Sequence, residues 1–133
     1  MSAGVSPIVR VPADEPWMVK RALDAGAHGI MVPMCDSKVR LDCFPSARIS
    51  NSQTKCKNQE QAIAIVNAAR YPSTRYKNGI RGSGAMFAPQ NFEQDGRAYQ
   101  RTANDNIILI IQIESRAAVE SCEEIAGVDG IGT

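Results

Sequence analysis

Residues 107–114 form an almost wholly apolar run that ends in two polar side chains, Gln112 and Glu114. Residues two apart on a β-strand point to the same side, so this amide and this carboxylate converge. If the strand belongs to a barrel, its carboxyl end lies on the catalytic rim, and both groups point into a site. The alternative is that Glu114 leaves the sheet and is solvated or caps the next helix.

Arg10 lies inside a second apolar run, residues 7–11. An unpaired guanidinium is costly to bury, so Arg10 requires a carboxylate or an anionic ligand. A substrate carboxylate is one solution. An internal salt bridge to Glu114 or Asp24 is the other, and the sequence leaves both open.

Two further features point to structure as much as to chemistry. His28, the only histidine, lies at a predicted helix-to-strand turn, on the amino-terminal side of the strand, so we interpret it as a turn residue. The glycine-rich segment 79–84 could present backbone amides to an anion, although it does not join a strand to a helix as phosphate loops do.

Apolar periodicity predicts alternating strands and helices along the chain. Strands are predicted at 7–11, 29–34, 107–114 and from 128, and helices at 16–25, 61–70 and 115–126. This alternation favours a parallel sheet, either doubly wound or a (β/α)8 barrel. Residues 71–96 hold many glycines and prolines and are predicted to form a long loop. Residues 39–58 have neither helical nor strand period.

Length and composition predict a soluble globular protein with one core. The 133 residues are 44% hydrophobic and carry a formal net charge of +1, so no basic surface suggests nucleic acid. The longest apolar run, 107–111, is far shorter than the ~20 residues of a membrane-spanning helix. No secretory signal is evident, and a cytoplasmic location is expected. The cysteines have neither metal-site nor disulfide spacing: Cys35, Cys43, Cys56 and Cys122.

The sequence resembles the HpcH/HpaI aldolase and citrate lyase family, within the pyruvate/phosphoenolpyruvate-lyase barrel superfamily. The likeness runs through residues 6–34, resumes at 60–72 and continues through 79–84 and 104–131. The resemblance implies one partial domain over 1–133, an incomplete (β/α)8 TIM barrel. A complete barrel needs about 250 residues, so about four of its eight strands are expected.

The resemblance also implies an activity, namely cleavage of 4-hydroxy-2-oxo acids to pyruvate and an aldehyde with a divalent metal, Mg, Mn or Co. Arg10 matches the arginine that contacts pyruvate, and Glu114 matches the first metal carboxylate. Gln112 matches the glutamine of the same QIE motif, residues 112–114, and is expected to bind substrate. Asp24 matches an acidic position with an acid–base role across a subunit contact, which implies a homo-oligomer.

The sequence departs from the family pattern in three places. It contains neither the second metal carboxylate, in a G-P-x-D-L motif, nor the catalytic histidine, so impaired activity is expected. Residues 39–59 form an insertion, predicted to be disordered, whose removal restores a continuous family-like sequence. We interpret the insertion as a retained intron. The alternatives are a citrate-lyase-like acyl-CoA lyase, or a non-catalytic fragment that associates with a full-length paralogue.

Overall fold

A computed structural model describes residues 4–33 and 54–132, which contain three strands and six helices. The strands are β1 (Ile8–Arg10), β2 (Gly29–Pro33) and β3 (Ile108–Gln112). The helices are α1 (Pro16–Asp24), α2 (Thr54–Ala69), α3 (Ala88–Asn91), α4 (Gly96–Asn106), α5 (Arg116–Glu120) and α6 (Cys122–Ala126).

The strands form one parallel sheet in the order β1-β2-β3. Helix α1 connects β1 to β2, and α2 to α4 lie between β2 and β3 in the chain. The register pairs Arg10 with Met31 and pairs Pro33 with Gln112. The predicted parallel α/β arrangement is therefore confirmed.

The helices cover one face of this sheet, while the other face is open among the described residues. Ile30, Val32 and Leu109 are fully buried in the core shared with the helices. Ile8 and Ile108 flank Gly29 in register and point to the opposite face, where their side chains are 51% and 47% exposed. Neighbouring residues such as Ile108 and Leu109 therefore face opposite sides of the sheet, and only the side covered by helices is packed.

Helix α1 shows how the sequence sets the ends of an element. Pro16 occupies the first turn, where its missing N–H is no loss. Val19 and Leu23, four residues apart, are completely buried against the sheet. The chain then turns through Gly26, whose φ of +100° is a conformation that L side chains rarely adopt. His28 follows in the turn before β2, where its ring lies 4.0 Å from that of Phe92, as predicted for a turn residue.

Arg70, just after α2, holds the next parts of the chain together. Its buried guanidinium donates to the backbone carbonyls of Asn104, of Ile107 at 3.1 Å and of Gly130 at 2.8 Å. These bonds tie the end of α4 and the turn after α6 to the end of α2. Burial lowers the pKa of Arg70 from its usual value, but an arginine side chain remains protonated in a protein.

Several element boundaries differ from those predicted. Helix α2 begins at Thr54 rather than at 61, so residues 54–59 of the predicted insertion are helical. The predicted loop 71–96 contains the short helix α3, and α4 follows it directly. The helix predicted over 115–126 is broken at Ser121 into α5 and α6.

The strand predicted from 128 is not formed, because residues 128–131 lie in turns. Gly132 N then donates to Leu109 O at 2.9 Å. Since Ile108 N already pairs with His28 O on the β2 side, Leu109 O points to the other edge of β3. The hydrogen bond from Gly132 therefore lies at the edge of β3 where a neighbouring strand would pair.

Residues 39–53 of the predicted insertion, together with Cys35 and Cys43, lie outside the described residues. Cys122 is exposed and is not in a disulfide. No helix in the described residues is long and apolar enough to span a membrane.

Candidate active site at the carboxyl ends of the strands

The carboxyl ends of β1 and β3 place three polar side chains together. Arg10 is the last residue of β1, Gln112 is the last residue of β3, and Glu114 follows two residues later. Because the strands are parallel, their carboxyl ends share one edge of the sheet. Arg10 and Gln112 therefore reach each other across the end of β2.

The geometry of this cluster is set by Arg10. Its Nε donates to Gln112 Oε1 at 2.7 Å, a short hydrogen bond. Its Nη2 lies 3.7 Å from Glu114 Oε1, close enough for an ion pair but too far for a hydrogen bond. Gln112 thus holds Nε of Arg10, while among the described residues the two Nη groups of Arg10 form no hydrogen bond.

The cluster is accessible from solvent. The side chains of Arg10 and Glu114 are 52% and 42% exposed. An ion pair this exposed contributes only about 0–1 kcal/mol, so a ligand can displace it at little cost. The sequence left open a substrate carboxylate or an internal partner for Arg10. Among the described residues the internal partner is Glu114, and Asp24 is not involved.

Asp24 lies at the other end of the sheet. It is the last residue of α1, which leads into the amino end of β2. Its Oδ1 lies 3.5 Å from Nη2 of Arg81, and its side chain is 31% exposed. The structure thus brings Arg10, Gln112 and Glu114 together and leaves Asp24 apart from them.

Arg81 was not singled out by the sequence analysis. Its side chain is completely buried and lies over the rings of Tyr71 and Tyr99, with Cζ 4.6 Å and 5.4 Å from their centroids. Its Nη2 also donates to Tyr99 Oη at 2.7 Å. The available signal was an arginine inside the glycine-rich segment 79–84, but glycine content alone does not reveal burial.

Oxygen donors of this cluster are the type that hard divalent cations prefer. Glu114 offers a carboxylate and Gln112 an amide oxygen, although the amide oxygen is engaged by Arg10. The described residues contain no group of three or more His, Cys, Asp or Glu that could hold a metal ion. Glu114 and Gln112 therefore offer the right type of donor atom for such a cation, but two residues are too few to hold one alone.

Part of this cluster lies within a region that matches a known protein family. A family model described as HpcH/HpaI aldolase/citrate lyase matches residues 54–133. The match starts inside the predicted insertion, at the first residue of α2. It includes Gln112 and Glu114, while Arg10 and Asp24 lie before it.

Relatives extend the similarity over nearly the whole chain. A hydroxypyruvate/pyruvate aldolase of Roseovarius nubinhibens is 38% identical over 94% of this chain and 39% of its own length. A 2-dehydro-3,6-dideoxy-6-sulfogluconate aldolase of Pseudomonas putida is 35% identical over 96% of this chain and 40% of its own length. The chain thus spans about four tenths of the length of the relatives that it matches.

A solved structure agrees with the fold. The crystal structure of an HpcH/HpaI aldolase/citrate lyase family protein from Burkholderia cenocepacia has a TM-score of 0.66 and 34% identity. The match covers 95% of this chain and 40% of the other. The predicted incomplete TIM barrel is therefore confirmed, with three of its strands formed in the described residues.

Proposed function

Because the chain belongs to the HpcH/HpaI aldolase/citrate lyase family, we propose that it carries part of the active site of an aldolase-type carbon–carbon lyase. The reaction proposed is cleavage of a 4-hydroxy-2-oxo acid to pyruvate and an aldehyde. The observation that carries the proposal is the convergence of Arg10, Gln112 and Glu114 at the carboxyl end of the sheet. Ligands of barrel enzymes bind at that end.

Arg10 is proposed to bind the carboxylate of the 2-oxo acid. Its guanidinium presents a planar fork that matches a carboxylate. Gln112 holds Nε, so the Nη groups remain to receive the substrate. The substrate carboxylate would replace Glu114, which is 3.7 Å from Nη2 and forms no hydrogen bond with it. Relatives named hydroxypyruvate/pyruvate aldolase support pyruvate as the 2-oxo acid.

Glu114 is proposed to be one ligand of a divalent metal, Mg, Mn or Co. A cation bound there supplies Lewis-acid polarisation of the 2-oxo group. One carboxylate and one amide give fewer oxygens than such a cation requires, so metal binding by this chain is expected to be feeble. Arg10 adds a fixed positive charge beside the oxygen on which negative charge develops.

Asp24 is proposed to act in the site of a neighbouring copy. Its carboxylate lies at the opposite end of the sheet from Arg10, so it cannot serve the site of its own chain without a large movement. Its exposed fraction leaves one side open to a partner. In that role its carboxylate would accept the proton of the 4-hydroxyl as the C3–C4 bond breaks.

The test is a lyase assay with a matched pair of variants. The chain is incubated with a 4-hydroxy-2-oxo acid and Mg, Mn or Co, and pyruvate release is followed. We expect slow release that Glu114→Gln lowers at least about a hundredfold, because metal stabilisation is worth several kcal/mol and about 1.4 kcal/mol is tenfold. Glu120→Gln, an exposed carboxylate paired with Arg116, should leave the rate unchanged.

Other outcomes select the alternatives. Cleavage of malyl-type thioesters without release from hydroxy-oxo acids would favour the citrate-lyase-like reaction. No release with any metal, or equal release by Glu114→Gln, would contradict catalysis by this chain. The open sheet face would then favour a fragment that associates with a full-length paralogue.

A further inference from the structure

A concavity of about 510 Å³ lies at the amino-terminal end of the sheet, away from Arg10 and Glu114. It is formed by the segment after α2, by the glycine-rich segment 79–84 and by the first turns of α4. Its lining is rich in hydrogen-bond donors and includes no carboxylate: Tyr71, Arg81, Ser83, Arg97, Gln100 and Arg101. Arg97 and Arg101 give the concavity a positive character, whereas the charge of Arg81 is partly offset by Asp24 at 3.5 Å.

Two of its arginines lie exposed on one face of α4. Arg97 and Arg101 are four residues apart, so their side chains are neighbours on the helix surface. Like charges at this spacing destabilise a helix slightly. Neither guanidinium has an ion-pair partner among the described residues, so both are available to an anion.

The wall of the concavity contains buried donors that are not satisfied. Arg81 uses Nη2 for Tyr99 and Asp24, but its Nε and Nη1 have no hydrogen-bond partner in the described part of the chain. The Tyr71 hydroxyl, also buried, has none either. Leaving such groups unsatisfied destabilises the fold, most of all when the group is charged. These atoms are buried beneath the surface of the concavity, so Arg81 adds positive charge under the site and does not itself contact a ligand.

We propose that this concavity binds a phosphate group, with Arg97 and Arg101 as direct contacts and Arg81 as a buried positive charge beneath it. Guanidinium groups bind phosphate oxygens bidentately, and a multiply charged anion matches the two exposed charges of Arg97 and Arg101 better than a monocarboxylate does. The volume exceeds that of one phosphate, so a phosphorylated small molecule also fits. The concavity lies apart from Arg10, Gln112 and Glu114, but its Arg81 contacts Asp24, which is proposed to act in the lyase site of a neighbouring copy. Phosphate binding by Arg97 and Arg101 does not depend on that role.

The test is calorimetric titration of the chain with inorganic phosphate, inorganic pyrophosphate and citrate at constant ionic strength, without divalent metal. We expect saturable binding of pyrophosphate, weaker binding of phosphate and weaker binding of citrate. Arg97→Gln and Arg101→Gln should each weaken pyrophosphate binding about tenfold, as expected for loss of one charge-assisted hydrogen bond. Both positions are exposed, and circular dichroism verifies that the variants fold.

Arg116→Gln is the matched control, since it removes the same charge from an arginine that is 94% exposed and lies outside the concavity. Its binding of pyrophosphate should equal that of the parent chain. Three results would overturn the proposal: no saturable binding of pyrophosphate, an equal loss in Arg116→Gln, or tighter binding of citrate than of pyrophosphate.

Discussion

Arg10 and Arg81 carry the same guanidinium group in opposite surroundings. The Arg10 side chain is half exposed, and its one carboxylate partner is 3.7 Å away. The Arg81 side chain is fully buried between two tyrosine rings and has a carboxylate at 3.5 Å. Arg10 can therefore exchange partners when a ligand arrives, whereas Arg81 acts as a fixed charge. The same residue type is thus proposed to recognise a ligand at Arg10, whereas at Arg81 it supplies a buried charge.

The spacing of Gln112 and Glu114 on an apolar strand was sufficient to predict their convergence. Their meeting with Arg10 was harder to predict, because β1 and β3 are separated by β2 and no local pattern specifies their register. The internal ion pair of Arg10 was one of two open alternatives, and exposure rather than sequence decides how easily it is replaced. Arg81 could not have been predicted, since its burial depends on Tyr71 and Tyr99.

Tyr71 gives a prediction for alkaline pH. Burial raises the pKa of its hydroxyl above the usual value of 10.0. The folded chain thus holds this proton more tightly than the unfolded chain, so the resulting stability is present below about pH 10 and is lost as pH rises through the folded pKa. Tyr71→Phe should reduce the fall in free energy of unfolding above about pH 10, as measured by urea denaturation.

At neutral pH the same variant should be as stable as the parent chain or slightly more stable, because the hydroxyl has no hydrogen-bond partner among the described residues. An equal fall in the free energy of unfolding of both chains above about pH 10 would contradict this account of Tyr71. A large loss of stability in Tyr71→Phe at neutral pH would contradict it as well.

At the scale of elements, the predictions succeeded where a buried apolar run forms a strand. The three strands and α1 were located to within about two residues, the usual uncertainty of element ends. Helix α4 was missed because its sequence is mostly polar and begins with Gly96. Two features of the sequence could have predicted α4. Asp95 is a helix N-cap whose carboxylate accepts from Arg97 N and Ala98 N, and Tyr99 and Ala103, four residues apart, are both buried.

The predicted start of α2 and the predicted continuous helix over 115–126 were wrong for other reasons. Residues 54–60 are rich in Lys, Gln and Glu, which favour a helix without producing an apolar stripe. The break at Ser121 separates two short helices that each bury one residue, Ala118 and Ile125. Packing of this kind depends on α2, which is distant in sequence, so periodicity alone predicted one continuous helix.

Two glycines of segment 79–84 should respond differently to alanine. A Cβ at Gly79 would lie 2.6 Å from Arg70 O and 2.8 Å from Tyr71 C, distances that require the backbone to shift. Gly79→Ala is expected to lower the free energy of unfolding by about 1–3 kcal/mol, the usual cost of overpacking. A Cβ at Gly82 meets nothing within 4 Å, and Gly82→Ala should be neutral. Urea denaturation measures the free energy of unfolding of both variants. Equal changes in Gly79→Ala and Gly82→Ala would contradict this packing.

At the scale of the whole molecule, the chain is part of a barrel whose inner face is open among the described residues. Half-exposed Ile8 and Ile108 lie on that face, and β1 and β3 form its edges. Exposed apolar surface and unpaired strand edges both favour association with another polypeptide. The class of fold followed from the alternation of elements, whereas the choice of a barrel over a doubly wound sheet required the family resemblance.

Arg10, Gln112 and Glu114 are proposed to form a binding site for a 2-oxo acid. Pyruvate binding to the chain, followed by ligand-observed NMR with Mg or Mn present, tests it most directly. We expect saturable binding that Arg10→Gln weakens by about tenfold or more and Arg116→Gln leaves unchanged, because loss of the guanidinium fork removes charge-assisted hydrogen bonds. Absence of pyruvate binding, or equal affinity in Arg10→Gln and the parent chain, would contradict the claim.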